Sequence, residues 1–369
     1  SKPGYSKPLT VEFLKANPYL VLDTKHFDEQ FKEKLLASFD NLDESTDGII
    51  INSENFQALN LLSEKYQKKL NSVYIDPPYN TSENTFLYKN NYKHSSWLAM
   101  IRNRIEMGYL FLSSDAVFEV AIDDTETHFL RSILDDFFNQ NNRVATIVAE
   151  VNPAGQNLRP NAPALSHDYC HVYARDIDEM KLLLRALSDD EMEVYAETDG
   201  DVPFLWDNLR RRGGNSRPSD RPKQWFPLFI KGNDVRVPDM EWDKQTNKWS
   251  VLEKPKVGEA EAWPIDPRGE NRIWRVNPDG ARKCIQKNEL SVTKKAGRLE
   301  VIKKTFMPEG KKPKTLWKDP KYSATTHGTK LLNDIIGKQL FSYPKSLFLV
   351  MDCLRFWMDE IAVTLDFFA

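Results

Sequence analysis

Between residues 48 and 176 short apolar runs alternate with amphipathic helical segments, and this alternation restricts the fold more than any other feature of the chain. The runs at 49–52 (IIIN), 72–76 (SVYID), 117–123 (VFEVAID), 143–151 (RVATIVAEV) and 168–175 (DYCHVYAR) read as strands. Helical spacing fills 56–70, 95–112 and 126–138 between them. Strands that alternate with helices need crossover connections, so they predict an α/β sheet, parallel or mixed, with helices on both faces. Upstream, Phe27, Phe31, Leu35, Leu36 and Phe39 recur at helical spacing and predict a helix over 26–39. The rhythm fails from 177 to about 330, where most tryptophans, many prolines and the basic runs lie. It returns from Leu331 as helix, YPKS (343–346), helix, and the apolar run AVTLDFF (362–368), read as a further buried strand. The expected organisation is an N-terminal helical arm (1–47), the first part of an α/β domain (48–176), an insertion (177–330) and a return to the α/β domain (331–369).

Composition narrows the class. A chain of 369 residues, 40% hydrophobic and 28% charged, fits a globular protein of two or three domains. No run approaches ~18 consecutive apolar residues, so no transmembrane helix and no membrane partner are expected. The opening SKPGYSKPLT lacks the apolar centre of a signal peptide. Cys170, Cys284 and Cys353 lie far apart with no CxxC pair, and the histidines form no HExxH. Neither a metal site nor a disulfide framework is expected, and the chain reads as cytoplasmic. The net charge of -3 hides an asymmetry: residues 201–320 carry about +10 and the rest about -13. A basic module for a polyanion follows. Glycine is scarce, 15 residues where average usage gives about 26. That leaves little room for glycine-rich phosphate or cofactor loops.

The chemistry is carried by Asp76-Pro77-Pro78-Tyr79, followed by Asn80 and Thr81, at the carboxyl end of the strand over 72–76. Open α/β sheets bind ligands at the carboxyl ends of their strands. Two successive prolines fix φ and hold the flanking Asp and Tyr in one relative orientation. A carboxylate and a backbone carbonyl in such a turn suit both hydrogens of an exocyclic amine, with the tyrosine stacked on its ring. The amino nitrogen of a nucleobase is a poor nucleophile because its lone pair is delocalised. Hydrogen bonds from its two N–H groups favour a localised lone pair, and the base must leave the helix stack to reach the pocket.

These residues resemble beta-class amino DNA methyltransferases, specifically the modification (Mod) subunits of type III restriction–modification systems. The likeness runs the whole chain: SENFQALNLL (53–62), YIDPPYNT (74–81), SSWL (95–98), AIDDTE (121–126), LRRRGGNSRPSDRP (209–222) with WFPLF (225–229), ENRIWR (270–275), YPKS (343–346) and VTLDFFA (363–369). The resemblance implies a doubly wound, mostly parallel methyltransferase-type sheet with an inserted target-recognition domain. It implies S-adenosylmethionine as methyl donor, adenine N6 in double-stranded DNA as acceptor, a Mod homodimer and a restriction (Res) subunit as partner. It assigns catalysis to Asp76, Pro77, Pro78 and Tyr79, with the Asp76 carboxylate and the Pro77 carbonyl accepting from N6. Glu54 and Asn55 align with the family's Asp-Asn and Lys345, Asp366, Phe367 and Phe368 with its cofactor side. Glu54 equally reads as a helix cap, and the two phenylalanines as core.

In the insertion, Arg210, Arg211, Arg212, Arg217, Arg221 and Lys223 surround a Gly-Gly hinge and suit DNA phosphates or the guanine edge. Contact with a partner subunit is the other use of such a loop. The lysines between Ala281 and Pro320 suit backbone neutralisation. Cytosine C5 methylation would need a Pro-Cys nucleophile, and none occurs. No GxxxxGK[ST] and no HxE with PCxxC occur, which excludes a P-loop motor and a zinc deaminase. PDMEWDK (238–244) crowds its acids too closely for a nuclease and reads as a turn and surface strand. The family pattern continues beyond DFFA into a glycine-rich cofactor turn and two further strands. From the sequence, the expectation is a sheet incomplete at its C-terminus, with weak or no binding of the methyl donor and no activity by this chain alone. A DNA-binding specificity module without catalysis and an N4-cytosine methyltransferase are the alternatives.

Overall fold

A computed structural model describes residues 10–17, 20, 23–81, 93–155, 161–295, 297–337, 341, 343–358 and 362–369. Most of the SKPGYSKPLT opening lies outside them. The chain divides into two compact units, Ser1–Lys65 and Tyr66–Ala369.

The first unit holds α1 (Val11–Ala16), α2 (Glu29–Ala37) and most of α3 (Asn55–Tyr66). Each starts where a side chain satisfies the otherwise unpaired N–H groups of a first turn. Thr10 caps α1, Asp28 caps α2 with a 2.8 Å bond from the Phe31 N–H, and Glu54 accepts from the Phe56 N–H at 2.9 Å. The helix expected over 26–39 is shorter, preceded by a 3₁₀ turn at Thr24–His26, with Phe27 stacked on Phe31. Residues 49–52 form no strand. Ile50 is fully exposed and Ile49 largely so. Among the described residues the apolar run there has no strand paired with it, and β-propensity alone does not make a strand.

The second unit is built on β1 (Leu70–Ile75), α4 (His94–Tyr109), β2 (Leu112–Ile122), α5 (Thr127–Phe138), β3 (Arg143–Glu150) and β4 (His167–Ala174). A one-turn helix α6 (Asp189–Glu193) opens a run of short strands. These are β5 (Glu197–Asp199), β6 (Val202–Asn208), β7 (Leu228–Lys231), β8 (Asp234–Arg236), β9 (Met240–Asp243), β10 (Lys248–Val251) and β11 (Ala260–Ala262). Then come α7 (Pro278–Gln286), β12 (Leu290–Lys295), β13 (Arg298–Phe306), β14 (Leu316–Trp317), a π-helical turn (Thr325–Lys330), α8 (Leu331–Ile336), α9 (Leu347–Arg355) and β15 (Thr364–Leu365).

The main sheet has the order β14-β3-β4-β2-β1-β15. The β1–β15, β1–β2 and β14–β3 pairs are parallel, and β4 runs antiparallel to both neighbours. Every strand but β4 therefore points the same way, giving the mixed, mostly parallel α/β sheet that the strand–helix rhythm implies. β14 already lies on the edge of this sheet, before the helical rhythm resumes at Leu331. Helices cover both faces. α4 buries Trp97, Ile101 and Ile105, and α5 buries Leu130, Leu134 and Phe138, at the four-residue spacing that makes one apolar stripe. On the opposite face Leu349, Cys353 and Phe356, in and just after α9, pack over Tyr74, Val117, Ala121, Cys170 and Val172.

Between β4 and β14 the chain forms antiparallel sheets of order β12-β13-β6-β5 and β11-β7-β8 and the hairpin β9–β10. Their shared core is Leu209, Phe226, Leu228, Ile230, Trp274, Ala281 and Val301. This region has its own hydrophobic centre, so it is a folded module and not a surface loop.

Candidate active site

β1 and β15 run parallel in a register that pairs Val73 with Leu365. Their carboxyl ends, Asp76–Asn80 and Asp366–Phe368, therefore emerge side by side. β2 ends beside them at Asp123. β4, running the other way, begins there, so Asp168 near its start faces the same edge.

The turn after β1 is held from several sides. The indole Nε1 of Trp97, fully buried on α4, donates to the Pro78 carbonyl at 2.7 Å. Asn80 adopts a left-handed φ of 59° and is buried. Its amide donates to Glu126 Oε1 at 2.5 Å, and His94 Nδ1 reaches the same oxygen at 2.7 Å. Asn tolerates this backbone region better than most residues. Asn80 and Glu126 thus close the turn begun by the two prolines.

Lys345 enters from the segment before α9. Its ammonium lies 2.6 Å from Asp168 Oδ2 and 3.6 Å from Asp76 Oδ1, donates to the Tyr79 hydroxyl, and stands 4.3 Å from the centre of the Tyr79 ring. The backbone before α9 can pass this way because residue 328 is a glycine. A Cβ there would come within 2.3 Å of the Pro344 carbonyl oxygen. Ser346 Oγ, donating to the Lys321 carbonyl at 2.7 Å, fixes the next residue.

The electrostatics are lopsided. Among the described residues, Asp76, Asp123, Asp168 and Asp366 share this edge with one lysine, Lys345. Burial pushes Asp123 up to about 6 and Asp366 up to about 6, the latter beside Asp76. Burial also raises Asp76 above the usual aspartate value, opposed by the Lys345 charge. Burial works against the charge on Lys345, but Asp76 and Asp168 outweigh it and hold the amine above the usual lysine value. Such a set suits a cationic ligand, which would relieve carboxylates crowded out of water. On the chemistry of the donor set, a sulfonium- and ammonium-bearing molecule fits.

The structure brings together Asp76, Pro77, Pro78, Tyr79, Lys345, Asp366, Phe367 and Phe368. Phe367 is largely spent on the core: its ring fills the space where Gly108 of α4 has no side chain and packs near Phe118. Glu54 caps α3, and Asn55 is buried in the first turn of that helix. Asp168 escaped the motif reading, and Asp123, within AIDDTE, received no role there. The strand over 168–175 gave no sign that its direction reverses, and only that reversal carries Asp168 to this edge.

In the insertion, sequence neighbours part company. Arg210 is buried and paired with Glu300 at 3.4 Å, and its backbone bridges to Trp274. The expectation of a DNA contact at Arg210 is corrected here, because its guanidinium is built into the module. The backbone N–H of Arg211 donates to the Ile273 carbonyl, and its Nε is buried. Arg212, Arg217, Arg221 and Lys223 are exposed. The lysine run is partly neutralised, Lys304 by Asp199 at 2.7 Å and Lys311 by Glu191 at 3.1 Å.

A second cluster lies within the core on the α9 side of the sheet. Glu119, fully buried, accepts from the Trp357 indole at 3.0 Å, and a carboxylate oxygen of Glu119 and the Sγ atoms of Cys170 and Cys353 all lie within 4.8 Å of one another. Burial pushes Glu119 up to about 8.

Residues 70–369 match the model of a DNA methylase family, and the chain belongs to that family. It is 30% identical over 369 aligned residues to the type III restriction-modification enzyme EcoPI Mod subunit of Escherichia phage P1, covering 88% of this chain and 54% of that protein. It is 27% identical to the type II methyltransferase M.KpnI of Klebsiella pneumoniae, over 92% of this chain and 78% of that protein. The type III enzyme StyLTI Mod subunit of Salmonella typhimurium is 20% identical, over 87% of this chain and 48% of its own length. The chain thus spans about half the length of the Mod subunits that match most of it. Among the described residues no helix is long and apolar enough to cross a membrane.

Proposed function

We propose that the chain is the modification and recognition part of a restriction–modification system. In this reading it places a methyl group on the exocyclic N6 of an adenine flipped out of duplex DNA. The observation that carries the reading is the braced Asp76–Tyr79 turn, which offers a carboxylate, a rigid backbone carbonyl and an aromatic ring at one strand end. Asp76 accepts one amino hydrogen and the Pro77 carbonyl the other, so the lone pair localises on nitrogen. Pro78 and Trp97 keep the turn from yielding, and Tyr79 stacks on the base. Preorganised acceptors of this kind act where charge develops and cost no reorganisation during reaction.

S-adenosylmethionine, when bound, supplies an electrophilic methyl group. Asp366, with Phe368 beside it, is the group we place on the donor side, and its desolvated carboxylate suits a cationic partner. Lys345, Phe367, Glu54 and Asn55 are carried there by the family likeness. For Glu54 the capping bonds are an additional, local role. Residues 177–330 are proposed as the target-recognition insertion, with Arg211, Arg212, Arg217, Arg221 and Lys223 on DNA, and residues 1–47 as an arm. The likeness to Mod subunits supports a homodimer, a restriction subunit as partner and action in the cytoplasm.

The test is nucleoside mass spectrometry of duplex DNA incubated with the protein and S-adenosylmethionine. N6-methyldeoxyadenosine is the expected product. N4-methyldeoxycytidine would move the acceptor to cytosine. No methylated nucleoside, with salt-dependent duplex binding intact, would leave a DNA-binding specificity module.

A further inference from the structure

We infer that Asp168 is a positioning residue which, by holding Lys345 against Asp76 and Tyr79, keeps Asp76 an ionised acceptor for the amino group. This deepens the reading above and rests on it. A carboxylate accepts with both oxygens and bears a negative charge toward the amine, whereas a protonated carboxyl keeps only its carbonyl oxygen as a good acceptor and adds a donor that the amine cannot satisfy. The grip is therefore strongest when Asp76 is ionised.

The surroundings of Asp76 oppose that state. From β4 and the end of β15 it faces the carboxyl groups of Asp168 and Asp366, and Asp123 at the end of β2 lies against Asp168 and Lys345. From β1 and its turn come the phenols of Tyr74 and Tyr79, and the Cys170 thiol lies behind. None of these groups brings positive charge. Among the described residues, Lys345 is the cation within ion-pair distance of Asp76, at 3.6 Å. Its side chain is 15% exposed, so solvent screens that charge poorly.

Lysine is a flexible four-carbon stem bearing a point charge. Gly328 and Ser346 place its backbone, but they do not aim its ammonium. The 2.6 Å contact to Asp168 does, and Tyr79 completes the aim with its hydroxyl, itself 3.5 Å from the same Asp168 oxygen. Three segments that are distant in sequence, the turn after β1, the start of β4 and the approach to α9, are tied together at this point.

The experiment follows the carboxyl of Asp76 by ¹³C NMR in the full chain labelled at aspartate Cγ, without methyl donor or DNA, with D76N assigning the resonance. K345M is expected to move the titration midpoint of Asp76 upward by about one pH unit or more. K345R, which keeps the charge, stays near wild type. In the D168N background the K345M change shrinks to less than about half, because the ammonium is no longer held in place. An unmoved midpoint in K345M overturns the electrostatic role of Lys345. A full-sized change in the D168N background overturns the positioning role of Asp168. Methylation assays on the full-length protein separate this from the functional reading: if full-length wild type transfers no methyl group to DNA, that reading falls, whatever the NMR cycle shows.

Discussion

The strand-end site and the arginine loop of the insertion are built on opposite relations between sequence and space. At the strand end, residues 76, 123, 168, 345 and 366 converge although up to 290 positions separate them. Parallel strands bring their carboxyl ends to one edge, and the reversed β4 brings its start there. In the insertion, Arg210, Arg211 and Arg212 are consecutive and yet end up buried and ion-paired, backbone-bonded, and exposed, respectively. Proximity in a motif says little about shared work, whereas topology decides which side chains can act together.

The contrast can be broken at its structural base first. Gly328→Ala puts a methyl group where the Pro344 carbonyl passes, so the approach to α9 must shift. Expected are a loss of ~3 kcal/mol or more in stability, as for other backbone clashes in buried positions, and loss of the Lys345–Asp168 contact, read by denaturant unfolding and NMR. An unchanged midpoint would show that the glycine is not what lets Lys345 in.

Glu119→Gln should stabilise the protein at pH 8 by roughly 2–4 kcal/mol. The folded-state pKa, about 8, lies above the usual glutamate value of 4.5. Stability held at low pH is therefore lost as pH rises from the unfolded value through about 8. Glutamine still accepts from Trp357 and carries no such penalty. Thermal melts of both proteins from pH 5 to 9 should diverge upward, and parallel curves would place a charge on Glu119 that the structure does not accommodate.

Within the insertion the comparison is between neighbours. Arg210→Ala should cost ~1–3 kcal/mol of stability by stranding Glu300, with the salt dependence of DNA binding unchanged. Replacement of Arg217, Arg221 or Lys223 by Ala should leave stability within ~0.5 kcal/mol and reduce the salt slope by about one per residue that meets a phosphate. If Arg210 changed the slope instead, the buried and exposed assignments would be reversed.

Much of this was legible in the sequence. The strand ending in DPPY, the helices over α4 and α5, and the late strand beside it follow from periodicity and turn chemistry, which are local. IIIN at 49–52 shows the limit, since a run of β-branched residues becomes a strand only when a neighbour offers hydrogen bonds. The direction of β4 is likewise a property of its partners. Asp168 could not be placed before β4 was known to run backwards, and Arg210 could not be withdrawn from DNA before Glu300 was known to lie opposite.

The central claim is that the turn after β1 grips the acceptor base. Its most direct measurement is incorporation of labelled methyl groups into duplex DNA by wild type and Asp76→Ala, with DNA affinity measured alongside. Assayed in the full-length protein, wild type is expected to label DNA. The variant is expected to bind DNA equally well and to transfer at least ~100-fold more slowly, the usual cost of removing one preorganised group. Equal labelling by both proteins would contradict the assignment of Asp76 as the acceptor.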